Sequence, residues 1–375
     1  MGRIGSLQLW SLVFSFVFAS GVAFLIGPLA HVGGTDGWMS ILFAAIAGTG
    51  LGFAGFSVGL SKPGEYFGLY GHTLLGKPTH FCIMLVFSFF FIHVVAYLLR
   101  EFVDLFTLAY LIKTPSWAVA SLLMFAVACI SQIGAWGIFR FAQACFLLIG
   151  FMFLILPIYL HGELNPTVWH GIWRLSEGKA IWQMTYNITP WYGELFLLLF
   201  FIPELKRAAS VRGTIWFASI AGTYILTSVF LLSLLVFGPN LAGGLTYPLL
   251  ELTGFIRIGD FMQNLDPVIV TIWFTAFFIK LSILFYSGVL TFSHALAIKE
   301  HRIFSMPLAA LTVVMSIVIA PNPVEMNRFF DRSWSTFALF VECLPFIYVL
   351  AAWLRKRAKS AESNAKKPGE AEVRS

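Results

Sequence analysis

Residues 188–204 read "ITPWYGELFLLLFFIPE", and Glu194 is the residue that raises the question. It follows Trp191-Tyr192-Gly193 and opens a run of eight apolar residues. Such a run belongs in lipid, where a carboxylate is costly unless something compensates it. The meaning of Glu194 therefore depends on whether the chain around it spans a membrane, and how.

The rest of the chain has the same character. Of its 375 residues 59% are hydrophobic and only 11% charged, whereas a soluble globule needs roughly a quarter charged residues to cover its surface. The apolar runs are about 20 residues long and numerous, which predicts a helical bundle in a membrane; a barrel would read as short alternating strands. The net charge of +6 does not point to nucleic acid, because seven of the 24 Lys and Arg lie in the terminal "RKRAKSAESNAKKPGEAEVRS". That cluster reads as a stop-transfer tail, polar and without an apolar face, and so disordered over 355–375. Cys82, Cys129, Cys145 and Cys343 sit singly in apolar segments and read as small buried hydrophobes. No P-loop, nucleophile elbow, H-E-x-x-H or dinucleotide fingerprint is present, so neither an enzyme nor a cofactor is expected.

Apolar runs bounded by charge, Gly or Pro give ten spans, at about 7–30, 38–60, 79–104, 115–132, 137–160, 189–205, 214–238, 265–292, 304–321 and 334–354. The first continues to Ala30 without a small-x-small cleavage site, so it reads as an uncleaved span. In the long loop before the sixth, Trp169, Trp173 and Trp182 predict an interfacial helix. An N-terminus placed inside puts sixteen Lys and Arg on the inner side, seven on the outer, and Lys280 within a span. Both termini are thus expected to be cytoplasmic.

Ten spans divide into five and five, repeat one at about 7–160 and repeat two at about 189–354, within one membrane domain over 1–354. Both halves open alike. Span one carries Ser20-Gly21 with Pro28 behind it, and span six carries Gly193 with Pro203 behind it. Because five is odd, the second half lies inverted, and paired interrupted helices in inverted halves point to a midplane binding site.

Those interruptions, with "TYPLLELTGFIRIGDFMQNLDPVIVTIWFTAFFIKLSILFYS" (246–287) and "APNPVEMNRFFDRSWSTFALFVECLPF" (320–346), resemble the B subunits of spore nutrient-germinant receptors, the endospore germination permeases. The likeness covers nearly the whole chain to about Leu354. It implies the five-plus-five fold of the amino acid, polyamine and organocation transporter superfamily and a place in the inner spore membrane. It further implies a nutrient sensor that binds an amino acid and works with A and C subunits; a secondary amino-acid transporter is the alternative.

Candidate ligand residues follow from the interruptions. Ser20, Gly21 and Val22 free backbone amides whose half-helix points its positive end at a bound carboxylate, or else they pack helices closely. Trp191 and Tyr192 supply apolar walls with polar tips, and Gly193 permits the unwinding. Glu194 is read as holding a substrate ammonium or a proton, or as sitting at the outer headgroups. In span three, His93, Tyr97, Arg100 and Asp104 share a roughly 60° sector, with Tyr97 a candidate ligand contact; Arg100 and Asp104 form either an outer gate or an interfacial ion pair.

Lys280 lies mid-span, and Ser287, Thr291 and His294 follow within a roughly 40° sector of its direction. In sodium-coupled members of the resembled superfamily spans one and eight build a cation site, and in a sodium-independent member a lysine ammonium fills it. The resemblance thus casts Lys280, with Ser287 and Thr291, as an ion mimic; helix packing is the alternative. Glu342 is a further buried acid with no assigned role.

Overall fold

Lipid offers no hydrogen bonds, so each apolar run must satisfy its backbone within its own segment, and helices are the result. The computed structural model describes residues 3–172, 178–206, 211–255, 266–319, 325–326 and 329–365. Among these, nine helices are long and apolar enough to cross a membrane.

The first span is a broken rod: α1 (Ser6–Ala19), a single turn α2 (Gly21–Phe24) and α3 (Ile26–Gly33). Spans two to five are α4 (Gly37–Gly59), α5 (Lys77–Ala109), α6 (Ser116–Ile133) and α7 (Ala135–Leu160). After a short α8 (Pro166–Ile172) comes α9 (Gly178–Gly193), which passes directly into a 3₁₀ segment at Glu194–Glu204. Neither piece spans alone; together they make the sixth crossing. The seventh is α10 (Val211–Gly244), kinked at Gly238 (φ 75°, ψ 159°) ahead of Pro239. A short α11 (Pro248–Gly254) precedes α12 (Asp266–Ala295), α13 (Ser305–Val318) and α14 (Ser335–Ala365).

Two expectations about the limits of the helices change. The sixth span begins near 178, not 189, so Trp182 belongs to α9 rather than to an interfacial helix, and Trp173 lies outside the described residues. Lys179, Gln183, Thr185 and Asn187 make this half too polar to register as membrane-buried, yet Thr185 is buried inside the protein. The last helix also runs past Leu354, so 355–365 are helical where disorder was expected. Ala358, Ala361 and Ala365 with interspersed Lys, Arg and Glu favour helix, and no Gly or Pro intervenes before Pro368. Residues 366–375 lie outside the described set.

The packing carries an internal exchange symmetry. The broken first span lies on α10, the seventh, and the broken sixth lies on α4, the second. The first span meets the fifth (α7), as the sixth meets the tenth (α14), while span three pairs with eight and four with nine. Replacing each span by the one five places along reproduces the same pairings, as a five-plus-five repeat requires.

Close approach of the sixth span depends on Gly48, Gly52, Gly55 and Gly59, a stripe along α4. A Cβ at these positions would run into Thr189 and Tyr192, Leu195, Phe196, and Leu199 and Ile202 respectively. Small residues let membrane helices bring their backbones together in this way. By contrast Cys82, Cys129 and Cys343 are exposed on the bundle's outer face, not buried. An apolar residue suits lipid as well as protein, so hydrophobicity alone does not separate those faces.

Candidate functional site

In the first span the helical ladder is interrupted at Ser20 and again at Leu25. The amides of Ala23 and Phe24 both bond to the Ser20 carbonyl, at 3.3 and 3.0 Å. The Ala19 carbonyl instead accepts the indole N–H of Trp273, from α12, at 2.6 Å. In the sixth span the eleven residues from Glu194 form a 3₁₀ helix, long for a geometry that usually lasts three or four residues and marks hinges or strain. At about 2.0 Å per residue it advances the chain roughly 22 Å, against roughly 16 Å as α-helix. The two breaks face each other.

Each residue across the sixth-span break turns to a different neighbour. Trp191 points toward a cavity described below. The Tyr192 hydroxyl lies 3.0 Å from Thr223 Oγ1 on α10. Gly193 abuts the buried Glu342 of α14, whose carboxylate occupies the space a Cβ would need. Glu194 turns to Lys280: its Oε2 is 2.9 Å from the ammonium, with both side chains essentially fully buried. The same ammonium donates to Ser20 Oγ at 2.9 Å and stands 4.6 Å from the Phe16 ring and 5.1 Å from the Trp191 ring.

The carboxylate in the apolar run faces a lysine from span eight, and that one cation ties span eight to spans one and six at the breaks of the latter two. A buried pair of this kind gains its attraction in a low-dielectric setting but has lost hydration on both groups, so its worth lies in both partners being present. Glu194 is thus paired within the protein and forms no part of the cavity wall.

The cavity, about 360 Å³, lies at the end of the bundle opposite the N-terminus. The far half of span one (Phe24, Leu25, Pro28, His31), Met184, Asn187 and Trp191 of span six, and Leu245–Tyr247 line it. Val32, Phe330, Trp334, Glu101 and Asp104 are also on the wall. Size and an aromatic lining with few polar groups are typical of small-molecule sites. Of the other expected ligand residues, Ser20, Gly21 and Val22 are buried behind this wall. Tyr97 stacks on Phe329 (4.6 Å, 8°) and touches Phe330 and Trp334, one layer back.

Arg100 and Asp104 form an ion pair at 3.0 Å, with Asp104 on the wall. Ser287 and Thr291 donate to carbonyls of their own helix, Ile283 and Ser287, rather than facing Lys280. At the opposite end, segments between α4 and α5 fill the bundle: Phe67 is buried against Phe200 and Tyr348, and Tyr66 donates to Glu204 at 3.3 Å. Burial and the nearby Glu204 carboxylate push the Tyr66 phenol up to about 12.

Residues 3–324 match the sequence profile of the family described as "Spore germination protein". The chain belongs to that spore germination family. It is 25% identical to spore germination protein KB of Bacillus subtilis, with 97% of this chain and 99% of that protein aligned. It is 24% identical to spore germination protein YndE of the same organism, over 95% and 98%. A third relative there, putative spore germination protein YfkT, is 28% identical, but the match spans only 53% of this chain and 54% of that protein. None of these names is that of an enzyme. Two solved structures of a manganese transporter from Eremococcus coleocola superpose with TM-scores of 0.55 and 0.54 at 13% and 14% identity. Each covers 92% of this chain and 77% of the transporter, a likeness of fold. The chain is thus a germination-related, multi-pass membrane protein on a transporter scaffold.

For this germination protein, reading the sequence missed one wall residue that had a signal. Glu101 lies four residues after Tyr97 and eight after His93, which on a helix extends the polar sector of span three. The glycine stripe of α4, spaced 4, 3 and 4, was equally legible.

Proposed function

We propose that the protein is the nutrient-binding subunit of a germinant receptor in the inner spore membrane, holding an amino acid in the 360 Å³ cavity and passing the signal to A and C partner subunits. The observation that carries this reading is where the cavity sits, in a member of the germination family: between the far ends of the two interrupted spans. A ligand there touches the far segments of both interrupted spans, beyond their breaks, and occupancy would shift the balance between two packings of the bundle by whatever its affinity differs between them. The opposite end of the bundle is filled by the α4–α5 segments, which favours a ligand that enters, signals and leaves by one face.

The test is a germination assay of spores carrying Val32→Trp, which plugs the cavity from its wall, against a panel of amino acids, sugars and nucleosides. Loss of response to amino acids at normal protein abundance supports the reading; an unchanged amino-acid dose response refutes it. A second reading, a working amino-acid transporter, draws on the transporter fold. Uptake of labelled amino acids into proteoliposomes separates the two: accumulation favours the transporter.

A further inference from the structure

Within the cavity wall one group lacks what its chemistry demands. Glu101, on α5, is 7% exposed, and its Oε2 has no hydrogen-bond partner among the described residues. Among the described residues the two nearby cations are already engaged: Arg100 with Asp104 at 3.0 Å and Lys280 with Glu194 at 2.9 Å. Among the described wall residues there is no Lys or Arg, and His31 is the single basic side chain. A buried carboxylate without a partner is destabilising, and an incoming cation relieves that. Trp191, Trp334, Phe24 and Phe330 line the same space, and aromatic faces attract cations as well.

We propose that the cavity recognises a free ammonium group, which pairs with Glu101 while the aromatic wall covers the ligand's body. This rests on reading the cavity as the nutrient site, and adds which atom of the ligand is read and by which residue. Glu194 does not perform this task, because Lys280 already supplies its ammonium. The class of ligand is therefore a small amine, an α-amino acid or an alkylamine, and the discriminating feature is its charged nitrogen. A sugar or nucleoside hydroxyl can donate to the Glu101 carboxylate but leaves its charge uncompensated.

The experiment uses the full chain in lipid nanodiscs and measures binding of the free proteinogenic amino acids, their N-acetyl derivatives, propylamine, glucose and inosine. At least one free amine should bind saturably and its N-acetylated or uncharged counterpart should not. Glu101→Gln should weaken that binding tenfold or more, Glu101→Asp less, and Glu65→Gln, far from the cavity, not at all. Without ligand, Glu101→Gln should melt at or above the wild-type temperature, since it removes an unpaired charge; a clear drop would give Glu101 a structural role and overturn the proposal. If Val32→Trp abolishes binding and Glu101→Gln does not, the ammonium assignment fails while the cavity stands. Binding untouched by both variants means that the cavity reading fails too. No binding by any free amine, or binding confined to glucose or inosine, also overturns the assignment.

Discussion

The Lys280–Glu194 pair makes the strongest claim on the molecule's stability. The charges are 2.9 Å apart with no more than 2% of either side chain exposed, so removing one leaves the other buried and uncompensated. That costs about 3–5 kcal/mol in protein interiors, while replacing both partners by apolar groups of similar size is about neutral. Lys280→Met or Glu194→Leu alone should therefore each be severe and the double variant mild. The coupling between them should then be about 6 kcal/mol or more in magnitude, with the double variant far more stable than the two single losses together imply. At roughly 2 °C per kcal/mol for a chain larger than a small domain, each single change lowers the melting temperature by at least roughly 6 °C. The double variant recovers most of it. The assay is thermal unfolding in nanodiscs of all four members of the cycle, followed by intrinsic tryptophan fluorescence. Additive losses, with the double variant as unstable as the two singles combined, would refute the pairing as the reason for both residues. Because Ser20 also accepts from Lys280 at 2.9 Å, Ser20→Ala should weaken the same pair modestly.

Three further outcomes follow from particular contacts. Trp273→Phe keeps the ring but strips the Ala19 carbonyl of its 2.6 Å donor; an orphaned buried carbonyl costs about 1–3 kcal/mol, read as a lowered melting temperature. Gly193→Ala drives a methyl into the Glu342 carboxylate and should sharply reduce the yield of folded protein. Adding Glu342→Ala should restore it, and failure to do so would place the constraint in the backbone. Tyr66 ionises at about 12 when folded against an ordinary 10, so between these values the unfolded state loses a proton that the folded state keeps. Stability then falls as pH rises through that window, and Tyr66→Phe should flatten part of the fall. A melting difference between the two proteins that stays constant from about pH 9 to about pH 12 would count against it.

The sequence by itself determined the class, the number of crossings and both breaks. Apolar runs of span length admit no other structure in lipid, and Gly21, Gly193 and Pro203 interrupt helices for reasons local to their own backbone. It also carried Lys280 and Glu194 as buried charges, since a charge mid-span must find a partner. What it did not carry was which partner. Positions 20, 194 and 280 are far apart along the chain, and helical phase fixes only the direction a side chain leaves its own helix. The rotation of one helix against the next is set by how side chains and glycines interlock, as where the α4 glycines admit the sixth span. For the same reason Glu194, read as open to a substrate ammonium, turned out to face Lys280, and Glu101, read as nothing, turned out to face the cavity. The polar half of span six at 178–188 was hidden because hydropathy averages over a window, whereas the folded bundle shelters each polar group individually. Local chemistry decided which residues needed compensation; only the packing of helices from two inverted halves decided what compensates them.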